Sequence, residues 1–199
     1  MVTGAHLTAD RRTDADRAAT SARPAAAHRT ASEPKAGDDS RLEAELRRLA
    51  GSVPDPELPV VTLEELGVLR GVQILGPGRV EVELTPTYTG CPAIEAMTTD
   101  IEQVLHDHGV AEVSVVKVLS PAWSTNDISA EGRRKLAEFG IAPPRPQPAE
   151  GPIPLTLSVR CPHCGSTDTE LLSRFSSTAC KALRRCVDCR EPFDHFKEL

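Results

Sequence analysis

The chain of 199 residues is 39% apolar and only 3% aromatic, with 17 prolines, six cysteines and a net charge of −6. Residues 41–142 hold 16 acids against nine bases, whereas 143–199 are nearly balanced at seven and eight; an acidic middle argues against a nucleic-acid binder driven by phosphate neutralisation. No apolar run approaches the ~20 residues that span a bilayer, and Arg11-Arg12 is followed by no hydrophobic segment. The six cysteines are therefore expected in a reducing cytoplasm, where metal binding or thiol chemistry is favoured over disulfides.

Residues 1–39 are rich in Ala, Arg, Thr, Asp and Ser and nearly lack apolar side chains larger than Ala. Such a stretch cannot bury enough surface to offset its ordering entropy and reads as a disordered tail. At Ser40 the pattern changes: Ser40 and Glu43 form a capping-box pair, and Leu42, Leu46 and Leu49 recur at helical spacing up to Gly51. A connector, Pro54-Asp55-Pro56-Glu57-Leu58-Pro59, leads to a short turn capped by Thr62 and Glu65 and stopped at Gly67.

Val72–Leu75 and Arg79–Thr85 flank Gly76-Pro77-Gly78 and predict a hairpin with one wet face. A helix then starts after Cys91 with Pro92 at its first position, carries the stripe Ile94, Met97, Ile101, Val104 and Leu105, and closes at Gly109. Val113–Leu119 is nearly apolar throughout and is read as a central strand. Ser129 caps a last helix through Phe139, ended by Gly140. The order α, ββ, α, β, α predicts a small mixed-sheet α/β sandwich over 40–141. Residues 142–156 contain six prolines and read as a semi-rigid linker. Residues 157–199 carry five of the six cysteines and are too short for a core of their own, so a structural metal is expected to supply the missing stability.

Cys161-Pro162-His163-Cys164 and Cys186-Val187-Asp188-Cys189 are paired C-x-x-C motifs. Two residues between thiolates let one tight turn present both sulfurs to one ion, and two such knuckles complete a tetrahedron. Four thiolates favour structural zinc in a zinc ribbon, with a rubredoxin-like iron site as the alternative; the closed shell leaves no position for catalysis. Serine at Cys164 is expected to unfold the ribbon and spare 41–141. His163 and His195 read as surface residues of the ribbon, Cys180 as a small buried hydrophobe or else an accessible thiol or spare ligand. Lys181, Arg184 and Arg185 form a basic strip, and Phe175, Phe193 and Phe196 a miniature core.

Cys91 follows a strand and precedes a helix, where unpaired amides and the helix dipole favour thiolate. The position suits a metal or cluster ligand, a persulfide carrier, a nucleophile, or a plain cap. Asp55 and Glu57, fixed by prolines, are either hard ligands or a docking loop, or else solvated turn residues. No Glu-x-x-His diiron pattern, no glycine-rich dinucleotide fingerprint and no plant-type cluster motif occurs.

The segments Asp55-Pro56-Glu57-Leu58-Pro59, Leu66-Gly67-Val68, Thr85-Pro86-Thr87 and Gly90-Cys91-Pro92 resemble the SufT-type iron–sulfur assembly domain. The stretch Ser120 to Asp127, Gly132-Arg133, Gly140 to Pro144 and Ser177-Thr178-Ala179-Cys180-Lys181-Ala182-Leu183 narrow the resemblance to the PaaD family, the accessory subunits encoded with phenylacetyl-CoA epoxidase. It covers residues 41–199. Relatives are expected to carry a further cysteine near the end, where this chain has Lys197-Glu198-Leu199, and this departure weakens a second metal site built on Cys180.

The resemblance implies an accessory or maturation role in aerobic phenylacetate breakdown, with no catalysis by the chain itself. Cys91, with Asp55 and Glu57, would be the place where iron, an iron–sulfur cluster or sulfur passes, and Cys161, Cys164, Cys186 and Cys189 would hold zinc. The implied partner is an epoxidase subunit or its reductase, with no nucleic acid and no membrane, and a homodimer is allowed. A structural subunit of the oxygenase is the alternative, and an electron carrier with iron in the four-cysteine site a third reading.

Overall fold

A computed structural model describes residues 36–146 and 158–198; the expected tail before residue 36 and most of the proline-rich linker lie outside them. Helix α1 spans Ala36–Gly51, so Ser40, expected as its cap, lies inside it. Leu46, Leu49 and Ala50 are buried while Leu42 is about half exposed. Arg47 ties the helix to the first strand through the Leu69 and Arg70 carbonyls at 3.4 and 3.2 Å.

Strand β1 (Leu69–Gly76) pairs antiparallel with β2 (Arg79–Leu84), bringing Val72 opposite Val82. On β2, Val80, Val82 and Leu84 face the core while Glu81 and Glu83 point away, as period-two alternation requires. Helix α3 (Ala93–Asp107) buries Met97, Ile101 and Leu105 and crosses over to β3 (Glu112–Lys117), which pairs parallel to β2. The sheet order is β1-β2-β3, so β3 is an edge and β2 is central, contrary to the expectation from its apolar run. The connections decide this. A tight hairpin fills one side of β2 and the crossover through α3 fills the other, leaving β3 without a second neighbour.

A short helix α2 (Leu63–Leu66) is held by the reciprocal Thr62–Glu65 capping box, and Gly67 ends it at φ +74°. A Cβ at Gly67 would lie 2.3 Å from the Asp127 carbonyl oxygen, and one at Gly132 would lie 2.8 Å from that of Glu65. These glycines let three segments close on one another: α2, the single-turn helix Thr125–Asp127, and α4 (Ala130–Glu138), whose N-cap Ser129 accepts from Gly132 N–H. Trp123 donates its indole N–H to the Leu66 carbonyl at 3.0 Å. The Arg70–Asp127 pair at 3.0 Å and the Lys135–Glu65 pair at 2.6 Å complete the clasp.

The C-terminal sheet has the order β4-β7-β6-β5, built from Ile141–Ala142 (β4), Thr169–Ser173 (β5), Lys181–Cys186 (β6) and Pro192–Phe196 (β7). The ribbon is thus not self-contained, because β4 follows directly from α4 and pairs parallel with β7. The expected three-phenylalanine core divides. Phe193 is buried with Ala142, Cys161 and Cys186. Phe196 is fully buried in the main core, its ring 5.9 Å from that of Trp123. Phe175 is mostly exposed under the Lys197 ammonium. The basic strip separates too: Lys181 is buried against Asp194, Arg185 pairs with Glu170 outside, and Arg184 is half buried.

Candidate functional site: a four-thiol centre and a two-thiol seam

Each C-x-x-C knuckle is shaped by backbone hydrogen bonds. Gly165, at φ +78°, donates to the Cys161 carbonyl, and the Cys161 N–H bonds the Ser166 carbonyl. Cys186 ends β6 and its N–H bonds the Glu191 carbonyl. The four Sγ atoms of Cys161, Cys164, Cys186 and Cys189 all lie within 4.8 Å of one another, with Cys161–Cys189 at 3.8 Å and Cys164–Cys186 at 3.5 Å. A tetrahedron with metal–sulfur bonds of about 2.3 Å has sulfur–sulfur edges of about 3.8 Å. The donor set therefore fits a tetrahedral metal without rearrangement. The backbone N–H of Cys189, aided by that of Asp188, holds the Cys186 thiol down at about 7, so one ligand is primed to lose its proton. Cys161 and Cys186 are buried, Cys189 is half buried and Cys164 is exposed. His163 is exposed, edge-on to Phe193. His195, expected at the surface, is not: burial, with Arg184 and Arg145 nearby, lowers its imidazole to about 4.

The second centre lies beside the main core, to which both the first domain and the ribbon contribute residues. Asp55 is 3% exposed, which overturns the reading of a solvated turn residue. Its carboxylate accepts from the Glu57 and Leu58 amides at 2.8 and 2.7 Å, and its backbone N–H bonds the Val61 carbonyl. The prolines on either side offer no amide hydrogens to compete. Burial raises the Asp55 pKa, and the two amides pull it back only in part. Across from it, Gly90 turns at φ +89° and the Cys91 N–H closes a turn onto Tyr88. Pro92 is the N-cap of α3, not its first residue.

Cys91 is half buried and packs against the main core, whose members include Cys180 from the ribbon. Tyr88, Glu57, Asp55 and Cys180 are all close enough to the Cys91 thiol to act on it electrostatically. Cys180 is 3% exposed and sits 3.1 Å from the Thr178 hydroxyl. Sequence alone reads Cys180 as a buried hydrophobe, or else an accessible thiol or spare ligand; the structure buries it in the core against which Cys91 packs. Among the described residues, the four ribbon cysteines are the only such group already at mutual ligand distance. The Cys91 set is convergent but open.

The expected thiolate character of Cys91 is reversed. Burial pushes its thiol up, the Ala93 N–H pulls the other way, and Glu57, Asp55 and Cys180 push it further up. Pro92 has no N–H, so the helix start offers one amide where the expectation counts several. Cys91 should therefore alkylate more slowly at pH 7 than a free thiol, gaining rate as pH rises above the ordinary thiol range. Glu57→Gln should speed it at pH 7, since it removes one of the charges that push the thiol up. Competitive labelling read by mass spectrometry checks both, and a wild-type rate above that of the model thiol would refute the account.

With this geometry in place, comparison with known proteins gives a consistent result. Residues 43–119 match the family model described as an iron-sulfur cluster assembly protein, and residues 145–197 match the PaaD zinc beta ribbon domain. A protein of Escherichia coli (strain K12) whose name makes it a 1,2-phenylacetyl-CoA epoxidase subunit is 46% identical over 153 residues, which are 77% of this chain and 91% of the relative. The chain belongs to the PaaD family. Within the PaaD fold, residues 43–119 contain Asp55, Glu57 and Cys91, while Cys180 and the four-thiol centre belong to the ribbon. An Fe-S protein maturation auxiliary factor of Porphyromonas gingivalis is 30% identical over 97 residues, 48% of this chain and 91% of that protein. The crystal structure of a domain of unknown function, DUF59, from Bacillus anthracis is 28% identical, covering 51% of this chain and 97% of its own, at a TM-score of 0.48.

Among the described residues no helix is long and apolar enough to cross a membrane.

Proposed function

We propose that the chain is an accessory subunit of a phenylacetyl-CoA epoxidase system, acting in the cytoplasm in aerobic phenylacetate degradation, and that it helps assemble or insert an iron–sulfur or iron centre in an epoxidase subunit or its reductase. The observation that carries this reading is the convergence of Cys91, Cys180, Asp55 and Glu57 at the seam between an assembly-type domain and a ribbon. The name of the E. coli relative and the maturation role named for the P. gingivalis relative support it. Iron or a cluster is the cargo at this site. The ion in the four-thiol centre is zinc, held by Cys161, Cys164, Cys186 and Cys189 and shaping the ribbon, with no part in the transfer.

The open geometry suits a carrier. Both thiols are raised by burial, so each keeps its proton while the site is empty and must release it when a cation binds. That proton cost weakens the complex at neutral pH and favours release to a client. Two thiols and two carboxylates supply soft and hard donors together, a mixed set that iron accepts. On β5, Leu171 and Leu172 are each about half exposed, which suits the ribbon as the docking module.

The test is the iron content and turnover of epoxidase purified from strains carrying wild-type protein, Cys91→Ala, Cys180→Ala, or a deletion. In the Cys91→Ala and deletion strains the epoxidase should be iron-deficient although its subunits still associate, and once loaded and purified it should turn over without this protein. Full iron loading in the deletion strain ends the assembly reading and leaves the structural-subunit reading, in which removing the protein from loaded complex abolishes turnover. An electron-carrier role would instead show as iron and visible absorbance in the four-cysteine centre of protein purified without oxygen.

A further inference from the structure

Beside the four-thiol centre, whose Cys161 stands in its wall, a cavity of about 1040 Å³ opens between α4, the segment after β4 and the ribbon. Five cationic side chains line it: Arg133, Arg145, Arg160, Arg184 and Lys197. The one carboxylate in its wall is Glu198. None of the five takes part in any of the eight ion pairs among the described residues, each of which uses another lysine or arginine. Their bonds go to neutral groups instead. Arg133 is spent on the Thr125, Ile128 and Pro144 carbonyls, Arg145 reaches the Ser158 carbonyl at 2.7 Å, and Arg160 that of Gly165 at 2.8 Å. Arg184 gives one Nη to the Thr169 carbonyl at 3.3 Å, and its buried Nε has no partner. Lys197 lies over the Phe175 ring.

Five cations beside a single carboxylate repel one another, and a low-dielectric wall sharpens the field instead of screening it. The surrounding protein registers that field: His195, also in the wall, is held neutral by burial and by Arg184 and Arg145. In the ion pairs elsewhere basic side chains find acids, and the protein is net acidic. The natural counterpart of an uncompensated arginine fork is a phosphate, which accepts paired N–H donors. The cavity is far larger than one phosphate and is of the size of organic-ligand sites. Its apolar wall, from Ala137, Pro143, Pro144 and Val159, would lie against the organic part.

We propose that this cavity binds a phosphorylated organic anion of nucleoside-diphosphate size, its phosphates on Arg145, Arg160 and Arg184 and its organic part on the proline-rich wall. An adenosine diphosphate group occurs both in free nucleotides and in coenzyme A, and the two sources are separated by the probes. The full-length, metal-loaded protein would be titrated calorimetrically with ADP, coenzyme A, inorganic pyrophosphate and a poly-glutamate peptide. Arg145→Glu and Arg160→Glu are the variants, since both side chains are exposed and make a single carbonyl bond each, with thermal melting confirming their folds.

Either ADP or coenzyme A is expected to bind with a micromolar Kd that weakens with added salt, and to lose at least tenfold in each variant. The tighter of the two identifies the source. Pyrophosphate should bind more weakly than either. Absence of binding by both organic probes up to millimolar concentration, equal binding by the folded variants, pyrophosphate as tight as the organic probes, or tighter binding of the acidic peptide would each overturn the proposal.

Discussion

Removing the metal from the ribbon, by chelation or by Cys164→Ser, should unfold residues 158–198 and also expose Trp123. Structural zinc in small modules contributes on the order of 10–16 kcal/mol at neutral pH. The ribbon's own buried cluster, Ala142, Cys161, Cys186 and Phe193, is half made of ligands. Without the ion those thiols have no reason to converge, and so small an apolar cluster cannot order the chain. Sequence alone places the limit of the damage at the domain boundary. The shared core argues otherwise, because Phe196 and Cys180 are ribbon residues buried with Trp123, Leu66 and Ile128. Trp123 is the one tryptophan of the chain, so its emission reports the seam. A red shift accompanying loss of zinc, with part of the helical circular dichroism retained, is the expected result. Native tryptophan emission in fully chelated protein would refute the coupling.

Phe196→Ala should cost about 3–5 kcal/mol in the metal-loaded protein, the usual range for deleting a buried aromatic ring. Phe196 is 0% exposed and is among the largest fully buried side chains of the structure. Its ring faces Trp123 at 5.9 Å with a 47° tilt, a contact that adds to the area term. Phe175→Ala is the internal control. That ring is 64% exposed and its one described ring contact is with Lys197 at 4.7 Å, so its loss should cost under about 1 kcal/mol. Urea titration of the three proteins gives the comparison. Equal midpoints for the two variants would show that Phe196 does not join the halves.

Where the sequence is legible, a local rule governs the outcome. The Thr62–Glu65 capping box, the Ser129 cap and the alternation of Val80, Val82 and Leu84 against Glu81 and Glu83 are decided within a few residues. The paired cysteines carry their geometry in their spacing, and Gly165 its left-handed turn. What is not legible depends on partners far along the chain. The edge position of β3 follows from which strand claims the other side of β2. The Cys91 thiol is raised first by burial, then by Glu57 and Asp55, and last by Cys180, 89 positions further on. Periodicity marks a phenylalanine as apolar but does not say whose core it enters. The divided phenylalanines have their cause in the ribbon's entry into the main core, where Phe196 meets Trp123. Gly67 and Gly132 carry part of the family resemblance for a reason that only the fold shows. The carbonyls of Asp127 and Glu65, closing to within 3 Å of where a Cβ would stand, supply that reason.

Strand β4 is only two residues long, yet it changes what the peptide between the modules has to do. Ile141 pairs with Asp194 and Ala142 with His195, and a few residues later Arg145 bonds the Ser158 carbonyl. Both ends of the intervening stretch are thus moored by contacts that do not involve it. A single change at Ala142, whose side chain is buried with Cys161, Cys186 and Phe193, therefore reaches the metal knuckles directly. A change that broke the Ala142 pairing would loosen the ribbon from the helix that precedes it, even with every thiol of the metal centre in place.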